Sequence, residues 1–198
     1  MKISLGCIVE GQGDQLAIPI LIRRIATLVD PALFVHIPIL ARVKRNKITK
    51  PEELEQSITY VSNKLGGKGG ILILIDSDDD CPAELGPKLL EEAKRIRSDM
   101  PIAVVLAKFE FEAWFLAAAE SLRGINGFPE DLEPPDDPES IRGAKGWLSR
   151  SMTEGRYSET ADQPALTAVF DLDLARRADS FDKCYREITD LLTILAIQ

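Results

Sequence analysis

A chain of 198 residues with 45% hydrophobic and 28% charged side chains has the composition of one ordered globular domain. Its net charge of −8 excludes a protein that coats nucleic acid by neutralising long runs of phosphate. A single histidine, His36, excludes two-histidine metal chemistry, and three scattered cysteines, Cys7, Cys81 and Cys184, without C-x-x-C spacing, suggest neither a zinc site nor a disulfide framework.

In chain order, Ile3 to Val9 reads as a first strand ending in Glu10-Gly11-Gln12-Gly13-Asp14. That glycine-bearing turn leads into an apolar helix from Gln15 to about Val29. The turn fails as a dinucleotide fingerprint because its third glycine position is Leu16, and no P-loop motif occurs anywhere. Asp30 and Pro31 break the helix, and Phe34 to Ile39 reads as a second strand, which makes His36 structural or edge-lying. A basic strip follows, Arg42, Lys44, Arg45, Lys47 and Lys50 without an acid. It is either a solvated loop or a hold for a phosphate backbone.

Pro51-Glu52-Glu53 opens a helix with proline in the first turn and acids at the positive end of its dipole. Leu54, Ile58, Val61 and Leu65 give that helix one buried face. After a glycine cluster, Ile71 to Ile75 is an unbroken aliphatic run, as a strand buried on both faces requires, and it meets Asp76, Asp78, Asp79 and Asp80 directly. A helix from about Ala83 to Ser98 and a strand from Ile102 to Ala107 come next. There Lys108-Phe109-Glu110-Phe111-Glu112-Ala113-Trp114 hands a strand over to a helix with alternating acids and aromatics. Beyond Ser121 the chain turns to acidic, proline-containing loops and helical pieces at Pro138 to Ser151, Gln163 to Phe170 and Ser180 to Ile197. Strands alternating with helices indicate an α/β fold with a mostly parallel sheet of about four strands and right-handed crossovers, extended by C-terminal helices.

Glu10, Asp76, Asp78, Asp80, Glu110 and Glu112 all lie at or just past strand C-terminal ends, so a parallel sheet gathers them on the edge where ligands bind in open α/β sheets. Clustered carboxylates repel one another unless a cation joins them. Hard oxygen donors suit Mg²⁺ or Mn²⁺. If the chain stays extended, Asp76, Asp78 and Asp80 offer their carboxylates to one side. An EF-hand loop from Asp76 fails, because its sixth and twelfth positions are Cys81 and Pro87. An aspartyl-phosphate phosphomonoesterase, with Asp76 as nucleophile and Asp78 as acid, stays open, with Lys108 as its one strand-end lysine.

Ile-Val-Glu-Gly-Gln-Gly-Asp at 8 to 14 and Asp-Ser-Asp-Asp-Asp at 76 to 80 resemble the glutamate and D-x-D signatures of Toprim domains. With Phe-Glu-Phe-Glu-Ala-Trp-Phe-Leu-Ala at 109 to 117, the chain resembles the domain-of-unknown-function family 4276 of small Toprim-like proteins. The resemblance implies a single domain over 1–198, with a Toprim-like α/β core over 1–120 and a helical extension over 121–198. It implies Mg²⁺-dependent, nuclease-like phosphodiester chemistry on DNA or RNA, in a defence or DNA-processing system. Glu10 would be the general acid or base and Asp76 and Asp78 would bind the ion, with Asp80 assisting. Glu110 and Glu112 would take a second ion or its waters, and Arg42, Lys44, Arg45 and Lys47 would carry the nucleic-acid backbone. The alternatives are a partner-dependent Toprim-like subunit working with an ATPase, or the phosphomonoesterase. A homodimer is a further expectation. No apolar run approaches the ~20 residues of a membrane helix and the N-terminus lacks a small-residue cleavage site, so the expected setting is cytoplasmic, without a membrane partner.

Overall fold

The computed structural model describes residues 1–197. β1 (Lys2–Val9) alternates, so Ile3, Leu5, Cys7 and Val9 enter the core on one face of the sheet and Ile8 on the other. α1 (Gln12–Val29) follows at once. It starts three residues earlier than its apolar pattern suggests, because the Asp14 carboxylate reaches back to accept the Gly11 backbone N–H at 2.7 Å and closes the first turn. Gly13 sits inside that turn because a Cβ there would lie 2.7 Å from the Glu159 carbonyl oxygen.

The second strand is two pieces, β2 (Phe34–His36) and β3 (Leu40–Arg42), instead of one run to Ile39. Pro38, with no N–H to donate, lies in the gap. His36 is exposed on this edge. The basic strip winds into a short helix, α2 (Arg45–Ile48), before α3 (Pro51–Lys64). β4 (Gly70–Asp76), α4 (Pro82–Ile96) and β5 (Ile102–Ala107) follow, and α5 (Ala113–Ala117) begins after the acid and aromatic turn. The helix expected from Pro138 to Ser151 is a 3-10 turn at Pro138–Ser140 and then α6 (Ala144–Ser151), divided by Gly143 at φ 76°. α7 (Asp162–Val169), α8 (Leu172–Ala175) and α9 (Asp179–Ala196) complete the described chain.

The sheet is fully parallel and has five strands among the described residues, in the order β2, β1, β4, β5. β2 pairs with the first half of β1 and β3 with its second half, on the same side. β4 lies on β1's other side, with Val9 opposite Leu74, and β5 lies beyond it, with Ala107 opposite Asp76. From β1 the chain moves to one side, and from β4 it moves to the other. The resulting switch point falls between β1 and β4, at whose carboxyl ends a crevice opens. Reversed direction with one crossover hand puts the connecting helices on opposite faces. Ile18, Leu21 and Ile25 of α1 pack with Leu72, Leu74 and Val105 on one face. Leu54, Ile58 and Val61 of α3 and Leu89 of α4 pack with Ile71, Ile73 and Ile75 on the other.

Leu148, Leu166, Phe181, Ile188 and Leu192 join the α1-side core, so the C-terminal helices complete the cover that α1 begins on that face of the sheet. Among the described residues no helix is long and apolar enough to cross a membrane. The contact between β1 and α3 is close at Gly6, where a Cβ would stand 2.4 Å from Val61 Cγ1, 3.1 Å from Leu65 Cδ1 and 3.2 Å from Ile39 Cγ2. Gly6→Ala is expected to cost about 1–3 kcal/mol of stability by overpacking, read as a melting temperature several degrees below that of the native chain.

Candidate active site

The crevice at the switch point holds a pocket of about 290 Å³, lined by Glu10, Gly11, Asp14, Asp76, Asp78, Glu110, Glu112, Lys145, Glu159 and Gln163. Each wall follows from a strand end. Glu10 is the first residue after β1, Asp76 is the last of β4, and Glu110 and Glu112 stand in the turn after β5. Asp14 comes from the first turn of α1 and Lys145 from the first turn of α6.

The turns between these strand ends and the following helices are unusually tight. Ser77 N–H donates to the Ala107 carbonyl at 2.8 Å and Asp78 N–H to the Phe109 carbonyl at 3.2 Å, so β4 and β5 stay paired past their formal ends. The buried Ser77 hydroxyl accepts the Phe109 N–H at 3.0 Å. Asp78 and Phe109 both adopt left-handed backbone, φ 47° and 59°, a conformation that costs non-glycine residues on the order of 1–3 kcal/mol and is found at functional sites. The Phe109 ring is clamped by the Arg142 guanidinium at 4.6 Å and the Lys108 ammonium at 4.5 Å. Phe111, Trp114 and Phe115 are fully buried: Phe111 packs against Trp114 and Phe115, which in turn meet Phe181 and Phe170 edge-on, and this fixes the turn carrying Glu110 and Glu112.

The left-handed turn at Asp78 also undoes the expected alternation. Asp76 and Asp78 reach the pocket, but Asp80 is not among its lining residues and is engaged by the Arg45 guanidinium. Asp79 pairs with Arg142 outside the pocket. Arg45 also reaches Asp78, at 3.5 Å, and its Nε is buried without a hydrogen-bond partner. Arg42, Lys44 and Lys47 line a separate groove. Lys108 lies in another cavity with Cys81, Ser180 and Lys183, away from the carboxylates.

Burial dominates the electrostatics. It raises the Asp76 carboxyl well above the ordinary aspartate range, with the Asp14 and Glu112 charges adding to it and Lys145 and the Phe111 N–H opposing it. That N–H donates to Asp76 Oδ1 at 2.8 Å. Burial likewise raises Glu10, opposed by the Arg45 N–H and reinforced by Asp78 and Asp14. Glu10 Oε2 is buried with no hydrogen-bond partner. Glu112, 1% exposed, is pushed up to about 7 by burial, against the pull of Lys145 and the Tyr157 hydroxyl. Tyr157 donates to Glu112 Oε1 at 2.9 Å, and Lys145 Nζ stands 3.9 Å from Glu112 Oε2 and 2.6 Å from Glu159 Oε1. Burial works against the Lys145 charge, but Glu112, Glu159 and Asp76 outweigh it and hold the ammonium protonated. Asp14 is buried between Gly11 N–H and Gln163 Nε2, each at 2.7 Å. Glu110 Oε2 accepts the Lys145 backbone N–H at 3.3 Å.

Among the described residues no group of three or more His, Cys, Asp or Glu side chains is already assembled for a metal ion. The donor set nevertheless suits a hard cation. It is all carboxylate, the Asp14 and Glu112 charges help to raise the Asp76 pKa, and one buried oxygen, on Glu10, has no partner within the protein.

Sequence reasoning missed Asp14, Tyr157, Glu159 and Gln163 as site residues. Asp14 had a readable signal, since an acid four residues beyond a strand-terminal glutamate falls in the first helical turn, on the same rim. Tyr157, Glu159 and Gln163 had none, because only the packing of the segment from α6 to α7 against α1 and α5 brings them in. No match was found among curated proteins or among solved structures. The family model described as Domain of unknown function (DUF4276) matches residues 9–188, spanning every wall of the pocket, and the chain belongs to that family.

Proposed function

We propose that the chain is a cytoplasmic, Toprim-type enzyme that hydrolyses phosphodiester bonds in nucleic acid with the help of Mg²⁺ or Mn²⁺. The observation that carries this reading is the meeting of Glu10, Asp14, Asp76 and Asp78 at the switch point, with a buried, unpartnered oxygen on Glu10. Asp76 and Asp78 would hold the ion, with Glu10 and Asp14 beside them and Glu110 and Glu112 on the facing wall. Bound there, the ion supplies polarisation of a phosphoryl oxygen and charge on the leaving-group side.

The chain's own groups account for the rest. Glu10, whose pKa burial raises above the ordinary glutamate value and whose carboxylate lines the pocket, suits proton transfer to or from the attacking water or the leaving oxygen. Lys145, the one cation lining the pocket among the described residues, offsets negative charge developing on a phosphoryl oxygen. Arg45 at the rim, bridging Asp78 and Asp80, has the charge and fork geometry to take a neighbouring phosphate when Asp78 turns to another partner. Tyr157 and Gln163 orient Glu112 and Asp14 by direct hydrogen bonds.

Incubation with labelled single- and double-stranded DNA and RNA, with Mg²⁺ or Mn²⁺, tests this directly. Metal-dependent cleavage is expected, and Glu10→Gln should lower its rate by on the order of 10²–10⁴-fold, the worth of general acid–base catalysis. Failure to cut any of these substrates with either metal contradicts the reading.

A further inference from the structure

We propose that the groove between the outer side of β3 and α3 binds a single strand of nucleic acid and leads it past Arg45 to the carboxylate pocket. The inference rests on the phosphodiester reading of that pocket for its direction, and on separate residues for its substance. The groove offers about 620 Å³, room for about one or two nucleotides. Arg42, Lys44 and Lys47 are exposed along it. Neither Arg42 nor Lys44 is ion-paired with another described residue, and Lys47 meets Glu53 only at 4.0 Å. On a chain of net charge −8, three cations left this free call for an anionic occupant.

Two further features narrow the occupant. The Tyr60 ring, 49% exposed and with the Lys64 ammonium 5.7 Å from its centroid, stands on the α3 wall beside Gln56, so the groove combines a cationic track with an aromatic side chain, the pairing that single-strand binders use. The competing occupant is an acidic peptide added as a strand to the edge of β3. That edge is three residues long, and Gln15 Nε2 already donates to the Leu40 carbonyl at 3.4 Å, which blunts it as a template. Direction follows from the parallel sheet. β3 ends on the same rim as β1 and β4, and Arg45, three residues beyond it, joins the groove to Asp78. A strand lying along the groove thus meets Arg45 before the carboxylates.

The test is fluorescence anisotropy of the full chain with a labelled twelve-nucleotide oligothymidylate, in chelator, against a duplex of the same length. The single strand is expected to bind more tightly than the duplex, with a log–log salt slope near about −2 from three phosphate contacts. Arg42→Ala/Lys44→Ala/Lys47→Ala should weaken binding at least tenfold and flatten that slope, and Tyr60→Ala should weaken it roughly 5- to 150-fold, the worth of one stacked base. These side chains are exposed, and unchanged melting temperatures confirm that the variants fold. Native-like binding by both variants, tighter binding of the duplex, or equal competition by polyglutamate overturns the proposal. Cleavage without any effect of the groove substitutions on KM or binding removes the groove alone. Groove-dependent binding without metal-dependent cleavage removes the phosphodiester reading and leaves the groove standing.

Discussion

In chelator, Asp76→Asn is expected to melt at a higher temperature than the native chain, and with metal present to lose most of the proposed phosphodiester activity. The two effects share one cause. Asp76 is held among Asp14, Glu112 and its own apolar strand, and its raised pKa shows that ionising it costs folding free energy. The asparagine oxygen still accepts the Phe111 N–H, so the turn after β5 keeps its tie to β4. What is lost is the strand-terminal charge that would hold the ion. If that ion supplies several kcal/mol of transition-state stabilisation, the rate should fall by at least about 10²-fold. A gain in stability bought with function is the mark of an active site, whereas a purely structural carboxylate would lose stability on the same change. Thermal melting in chelator beside an oligonucleotide cleavage assay reads both halves, and a less stable Asp76→Asn would contradict the account.

Glu112→Gln is expected to remove the share of the pH dependence of stability that Glu112 contributes in metal-free protein, leaving that of Asp76 and Glu10. Glu112 titrates at about 7 when folded, against an ordinary value of 4.5. Between those values the folded chain holds a proton that the unfolded chain has released. Stability therefore falls as pH rises through this window, with the full cost present above it. A shift of this size corresponds to roughly 3 kcal/mol. Glutamine can still accept from Tyr157, and Lys145 keeps Glu159 at 2.6 Å, although an amide N–H₂ facing the ammonium trims the gain. The variant should thus gain on the native chain by up to roughly 6–12 °C in melting temperature at pH 8, with the difference closing near pH 5. Melting curves in chelator from pH 5 to 8 decide the matter, and parallel curves for the two proteins would show that Glu112 is not a buried, reluctant carboxylate.

These residues also show how far the sequence could be read. The aliphatic run at Ile71–Ile75 and the acids beyond it were legible because a strand covered on both faces has no polar position to spare. The parallel sheet followed from helices alternating with strands, and with it the meeting of Glu10, Asp76 and Asp78. The split at Pro38 was visible as a proline, but pairing of both halves with the same side of β1 depends on contacts across the sheet. Asp80 was misplaced because spacing alone assumes an extended chain, and Asp78 turns left-handed instead. Tyr157, Glu159 and Gln163 lay beyond local patterns entirely. They are brought to the pocket by a core shared between α1, α5 and the C-terminal helices. The helical extension is therefore one wall of the site.

The most direct test of the carboxylate pocket as a metal site is the melting temperature under Mn²⁺ titration, compared between the native chain and Asp76→Asn. At a free concentration about a hundredfold above Kd, a single ion stabilises the folded state by roughly 2.7 kcal/mol. For a chain of 198 residues that is a rise of about 5–10 °C in the native protein, with little change in Asp76→Asn. A native melting temperature indifferent to Mn²⁺, or an equal rise in both proteins, would contradict the account.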